Sequence, residues 1–251
     1  MQRFGMVLWV AIGLGGPNIL HADQKDLTPT LAETQPVEEV DHGVPGSDLS
    51  TYSTCSDNDA NSLATDGTDD PSDSRCPSVE GIVFRYVQAG DFKLGSANGE
   101  ADQRPAHGFS ISPFCVTRDW ITDVQSNYLS GITRQCFTSS QANRLVRIAS
   151  NRTKIKFRLI SEPEWEYIAK KSGAFGVAHI FQWWERTGSI YMNYPYSDKS
   201  QMEASKDGDA NQVVRGGQYE NDLSGVPWAT LRGYALPSSP YRLRLVVDPK
   251  K

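Results

Sequence analysis

Short runs of apolar residues alternating with polar ones, broken by glycine, open the foldable part of the chain. IVFRYVQAG (82–90) and DFKLGS (91–96) read as two β-strands separated at Gly90, and FSISPFCV (109–116) as a third. The apolar period then lengthens. Apolar residues at 121, 124, 128 and 129 predict a helix over Ile121–Leu129. Ala142, Leu145, Val146 and Ala149 share one face of a second helix, predicted over Gln141–Ala149. Lys154–Ile160 returns to a strand pattern. In RLISEPEWEYIAKK (158–171), Ser161 followed by Glu164 is a capping box, and Pro163 sits in the first turn where its missing N–H costs nothing. A third helix starts there. Further strands are predicted over Ala178–Trp183, Gln212–Arg215 and Arg242–Val247. Helices that come early among recurrent strands make the class α+β rather than alternating βαβ.

Upstream of Gly81 this patterning stops. From Asp23 to Glu80 the chain has 14 acidic residues and 2 basic ones, a net of −12. From Gly81 to Lys251 it has 22 basic and 16 acidic, a net of +6. The acidic stretch is poor in large apolar residues and cannot bury enough surface to offset its ordering entropy. DNDANSLATDGTDDPSDS (57–74) resembles a calcium loop only superficially, since it lacks the glycine and glutamate spacing of an EF-hand. Residues 1–22 read as a secretory signal: Arg3, the apolar run Phe4–Leu14, helix-breaking Gly15-Gly16-Pro17, then Ala22. The apolar run falls short of the roughly 20 residues that span a bilayer. The expected organisation is a signal peptide at 1–22, an acidic low-complexity leader at 23–80 and one domain at 81–251. The expected location is the periplasm, without a lipid anchor, because no cysteine follows the apolar run, and without membrane insertion after signal cleavage.

Export gives the four cysteines a meaning. Cys55, Cys76, Cys115 and Cys136 are an even set in an oxidising compartment, where disulfides persist. Three connectivities are open. The local pairs Cys55–Cys76 and Cys115–Cys136 are preferred, because each falls within one region. No CxxC occurs, which disfavours a zinc ribbon or a thioredoxin-like site.

Several motifs now fall in a familiar order. FRYVQAGDFKLGS (84–96), DQRPAH (102–107), ISPFCV (111–116), RLISEPEWEYIAK (158–170), AHIFQWW (178–184), RGGQY (215–219) and YRLRLVVD (241–248) succeed one another along the chain. Together they resemble the formylglycine-generating-enzyme, or sulfatase-modifying-factor, domain family over nearly all of 81–248. The resemblance implies a variant of the C-type lectin fold, with Arg158, Glu164, Trp165, Glu166, Arg215, Gly216 and Gly217 as fold signature. Enzymes of that family hold copper(I) on a cysteine pair in the segment after RGG, and thiolates suit that soft ion. Residues 218–239 here contain no cysteine. The family's sulfoxide synthases need iron on histidines, and only His107 and His179 lie in the body. The Asn and Glu of the family's GNVWEW strand fall on His179 and Gln182, which removes a calcium-binding carboxylate. No catalytic residue and no cofactor are therefore expected, with calcium held through carbonyls the one ion left open.

Glu162, Glu164 and Glu166 admit an acid–base or metal reading. A general base needs a partner, and no histidine lies near them in sequence. The competing reading assigns Glu162 and Glu164 to the helix start, through the capping box and macrodipole, and Glu166 to a buried arginine such as Arg215. His107 reads as a hydrogen-bonded structural residue, and the RGG glycines as a tight path between packed strands. In lectin-type folds the segment after RGG faces ligand. It carries residue types common at interface anchors: Tyr219, Asn221, Asp222, Trp228, Arg232 and Tyr234. The expected function is binding or regulation of a protein partner without catalysis. Some periplasmic proteins with this domain regulate a membrane threonine kinase of type VI secretion systems, and the resemblance extends to that role. A sulfatase-maturation oxidoreductase with an atypical site and a carbohydrate-binding lectin are the alternatives. Export and the modest charge of the body argue against nucleic acid.

Overall fold

The computed structural model describes residue 55 and residues 71–171, 173–196, 209–217 and 232–251. Residues 1–22, expected to be a signal peptide, residues 23–54 and 56–70 of the expected leader, and Tyr219, Asn221, Asp222 and Trp228 lie outside the described residues.

A central antiparallel sheet is built from β1 (Phe84–Val87), β4 (Phe114–Thr117), β10 (Leu245–Val247) and β5 (Arg158–Leu159), in the order β1-β4-β10-β5. Its register sets Tyr86 opposite Cys115 and Val246 opposite Val116. Alternate residues of a strand face opposite sides. Phe84, Cys115, Leu245 and Val247 therefore join one core, and Val87, Phe114, Val116 and Val246 the other. Helices α1 (Asp123–Ser130) and α2 (Ser139–Thr153) cover the first face with Leu129, Ala142, Leu145 and Ala149. Helix α3 (Glu162–Lys170) covers the second with Trp165 and Ile168. A hairpin of β2 (Gly90–Leu94) and β3 (His107–Ile111) packs against α3 through Phe92 and Phe109.

A second sheet holds β6 (Trp184–Ile190), β7 (Gln212–Gly216), β8 (Arg232–Ala235) and β9 (Arg242–Leu243), in the order β8-β7-β6-β9. The strand expected over Ala178–Trp183 begins instead at Trp184. His179 takes a left-handed backbone, and Gln182 N–H donates to His179 O at 3.1 Å, so the run turns before it extends.

All three helices begin with a complete capping box: Thr122 with Gln125, Thr138 with Gln141, and Ser161 with Glu164. Each satisfies backbone donors that the first helical turn leaves open.

The disulfides are Cys55–Cys136 and Cys76–Cys115, so the preferred local pairs do not form. The reason is sheet pairing. Residues 71–76, assigned to the leader from sequence, dock on β1, with Asp73 N–H donating to Phe84 O at 3.0 Å. That brings Cys76 against Cys115 on the neighbouring strand. Val79 and Ile82 close a bridge beside it and enter the same core. Peptide mapping of the unreduced protein should recover fragments joined as Cys55–Cys136 and Cys76–Cys115. Recovery of a Cys55–Cys76 fragment would contradict this arrangement.

Candidate functional site

The fold signature converges on α3. Ser161 Oγ accepts Glu164 N–H at 3.4 Å, and Glu164 Oε2 accepts Ser161 N–H at 2.9 Å. Arg158, delivered by β5, grips both Glu164 oxygens, with Nη1 at 2.6 Å and Nη2 at 2.5 Å. Glu164 thus serves the helix start, as its sequence position implied.

Glu162 and Glu166 lie one turn apart on the same face, and neither has exposed surface. Arg215 bridges them: Nη2 donates to Glu166 Oε2 at 2.6 Å and Nη1 to Glu162 Oε1 at 3.1 Å. The expected Glu166–Arg215 pair is present. Glu166 also accepts Gly95 N–H at 2.7 Å and pairs with Lys170 Nζ at 2.5 Å.

Glu162 does more than start a helix. Arg232 Nε donates to its Oε1 at 2.7 Å, Tyr194 OH donates to the same oxygen at 2.8 Å, and Tyr196 OH donates to Oε2. Arg232, expected among surface anchors, is buried with 5% exposure. Strand register is the cause. Arg215 and Arg232 are direct partners on β7 and β8, so both guanidiniums leave the sheet on the same side, towards α3. Arg232 also donates to Met192 O at 2.7 Å and lies 4.5 Å from the Tyr191 and Tyr194 ring centres. Burial alone would raise the Glu162 carboxyl. The charges and hydrogen bonds of Arg232 and Arg215 outweigh burial and hold it below its ordinary value. The same acids raise both arginines.

A second buried pair joins Glu185 of β6 to Arg244, with Nε at 2.8 Å from Oε2 and Nη2 at 3.0 Å from Oε1. Arg244 further donates to Arg118 O and Ala178 O. Arg242 lies between Trp120 and Trp183, 4.7 Å from each ring centre. These contacts tie the loops around residues 118, 120, 178 and 183 to the second sheet.

The RGG turn is structural. Gly216 and Gly217 both have φ near +90°, and an added Cβ would meet Trp183 O at 2.6 Å and the Trp184 indole at 2.2 Å. His107 is hydrogen-bonded as expected. Its Nδ1 lies 3.0 Å from Pro105 O, and its Nε2 accepts Tyr196 N–H at 3.4 Å. His179 Nδ1 lies 2.6 Å from Asp119 Oδ1. Among the described residues, no three His, Cys, Asp or Glu side chains gather as a metal-holding group.

Tyr234 is half-buried, with its ring 5.4 Å from Tyr191, whose OH donates to Asp102 Oδ2 at 2.8 Å. The chain leaves β7 beside Arg215 and re-enters β8 at Arg232. Both ends of the candidate binding segment, 218–231, are therefore held by Glu162. Sequence reading missed Glu162 as a hub and missed Arg232, Tyr194 and Tyr196 as its partners. One signal was available. Arginines set among apolar residues, as in VVRGG and YRLRLVV, need buried acids.

Replacing Glu162 by Gln keeps the volume and removes the charge. The variant should lose about 3–5 kcal/mol at pH 7, the cost of leaving a buried charge unpaired. In the wild type, the depressed Glu162 carboxyl contributes fully above its ordinary value of 4.5. That contribution fades as pH falls through the lower folded value, because the unfolded chain takes up the proton first. Urea unfolding from pH 7 to pH 3 should show the two proteins converging in acid. A constant gap would place the acid-sensitive contact elsewhere.

No protein-family model and no curated protein matches the chain in sequence. Solved structures do match its fold. PvdO from Pseudomonas aeruginosa is similar at 16% identity and a TM-score of 0.54, covering 66% of this chain and 94% of that one. Treponema denticola variable protein 1 is similar at 13% identity and a TM-score of 0.55, covering 67% and 95%. Likeness at such identity speaks for fold alone. The fold is α+β, of the formylglycine-generating-enzyme type that the motif order implied.

Proposed function

We propose that this chain is an exported, non-catalytic binding protein that acts through contact with a protein partner. The carrying observation is the state of the cysteines. All four are joined in two disulfides, and none is free. The oxidative chemistry of the family's enzymes runs on a thiol pair after the RGG turn, and every cysteine of this chain is engaged in a disulfide elsewhere. The acids of the signature helix support the same reading: Arg215, Arg232, Tyr194 and Tyr196 occupy Glu162, and Arg215, Lys170 and the Gly95 N–H occupy Glu166.

Two disulfides fit an oxidising compartment. Among the described residues, no helix is long and apolar enough to cross a membrane. The finer form of the proposal is a periplasmic regulator of a secretion-system kinase pathway. The partner surface would be formed by 218–231 with Tyr234 at its edge.

Thiol titration of the denatured, unreduced protein should find no free thiol, and copper(I) added before desalting should not be retained. Two titratable thiols with one copper per chain would replace this reading with the oxidoreductase. For the surface, Tyr219→Ala and Trp228→Ala should each weaken capture of the periplasmic part of the pathway kinase by about thirtyfold, as interface anchors do, with unchanged melting. Unchanged capture by both variants would move the interface elsewhere.

A further inference from the structure

A second charged region occurs earlier in the chain. From Val124 to Ser161 the chain has seven basic residues and no acidic one. Three of the seven, Arg144, Arg147 and Arg152, are exposed on α2; Arg144 and Arg147 lie opposite the face that buries Ala142, Leu145 and Ala149, and Arg152 lies in the last turn, one heptad after Leu145. Lys154 and Lys156 are exposed just past its end. Arg152 stacks on Tyr128 of α1 at 5.6 Å, and Arg134 donates to Gln141 Oε1 at 2.7 Å. Arg144 and Arg147 have no hydrogen-bond or ion-pair partner among the described residues. Exposed Val124 and Tyr128 border the same face.

The chain holds a complementary sequence, and the disulfides say where it is tied. Residues 56–70 contain five aspartates and no basic residue. Cys55 is bonded to Cys136, two positions before the Thr138 cap, at the amino-terminal end of α2. The chain is next fixed at Ser72 and Asp73, which hydrogen-bond to Phe84. The Phe84 ring centre lies 6.4 Å from that of Phe157, just past the carboxy-terminal end of α2. The two anchor points thus sit at opposite ends of the helix. Fifteen helical residues measure about 22 Å, and fifteen linking residues reach up to about 50 Å.

The geometry points to a docking surface: the arginine face of α2 takes an aspartate-rich polypeptide, and its occupant is residues 56–70 of this chain. Guanidinium forks suit carboxylates, and arginine is the basic residue along this helix. Single exposed ion pairs are weak. Attachment at both ends offsets this by raising the local concentration of the acidic segment to the millimolar range.

The test uses the full-length, disulfide-intact protein and a labelled synthetic peptide of residues 56–70 as probe. Wild type is compared with a variant carrying Asp57→Asn, Asp59→Asn, Asp66→Asn, Asp69→Asn and Asp70→Asn. The variant should bind the probe at least about tenfold more tightly, because the internal competitor is gone. The gain should vanish at about 0.5 M salt, and when Arg144→Gln and Arg147→Gln are added. Equal binding by wild type and variant, strong or absent, overturns the proposal. So does binding of the variant to phosphatidylglycerol vesicles but not to the probe, which would assign the face to a membrane. A second readout does not depend on affinity. Arg144→Lys in an otherwise wild-type chain, treated with a zero-length carbodiimide, should crosslink position 144 to one of the five aspartates. Crosslinks from 144 only to other acids count against it.

Discussion

The architecture depends on one carboxylate placed between two arginines. Arg215 and Arg232 stand directly opposite each other on neighbouring strands. Like charges in that position repel, and both are cut off from water. Glu162 Oε1 accepts from both guanidiniums, which turns a repulsive pair into a bridge. The row continues across the sheet, where Glu185 is opposite Arg215 and Arg242 is opposite Glu185. Four charged side chains thus cross the buried interior in a line. Each burial costs several kcal/mol unless it is offset by a partner. The partners come from outside the row: Glu162 and Glu166 from α3, Arg244 from between β9 and β10, and the rings of Trp120 and Trp183.

This arrangement explains why α3 is buried on nearly every side. Trp165 and Ile168 pack against the central sheet, while Glu162 and Glu166 face the second sheet. One short helix joins two sheets by two different forces, apolar burial on one side and ion pairing on the other. A half-satisfied polar network costs more than an apolar core. The same helix sets the geometry at both ends of the segment that follows the RGG turn.

Local features were legible because their causes are local. Ser161 with Glu164 marked a helix start, and the structure shows both hydrogen bonds of the capping box. The RGG glycines follow from a backbone that only glycine adopts without strain. The order of motifs gave the fold class. The disulfide pairs were not legible, since nearness in sequence says nothing of which strands lie side by side. The strand start near Trp184 was displaced by the turn at His179, which no alternation of residue types marks.

The arginine at 232 shows where sequence stops. Its type and its place after the RGG segment suit a surface anchor equally well. Only the register of β8 on β7 turns it inward, and only α3 supplies the acid that makes burial tolerable. By itself the sequence determined the periodicity, the cap of α3, the type of fold and the uneven distribution of charge along the chain. Those rest on spacing and composition within a few residues. The tertiary structure decided which charges are neutralised and by whom, because pairing energies depend on distance and burial between residues tens of positions apart.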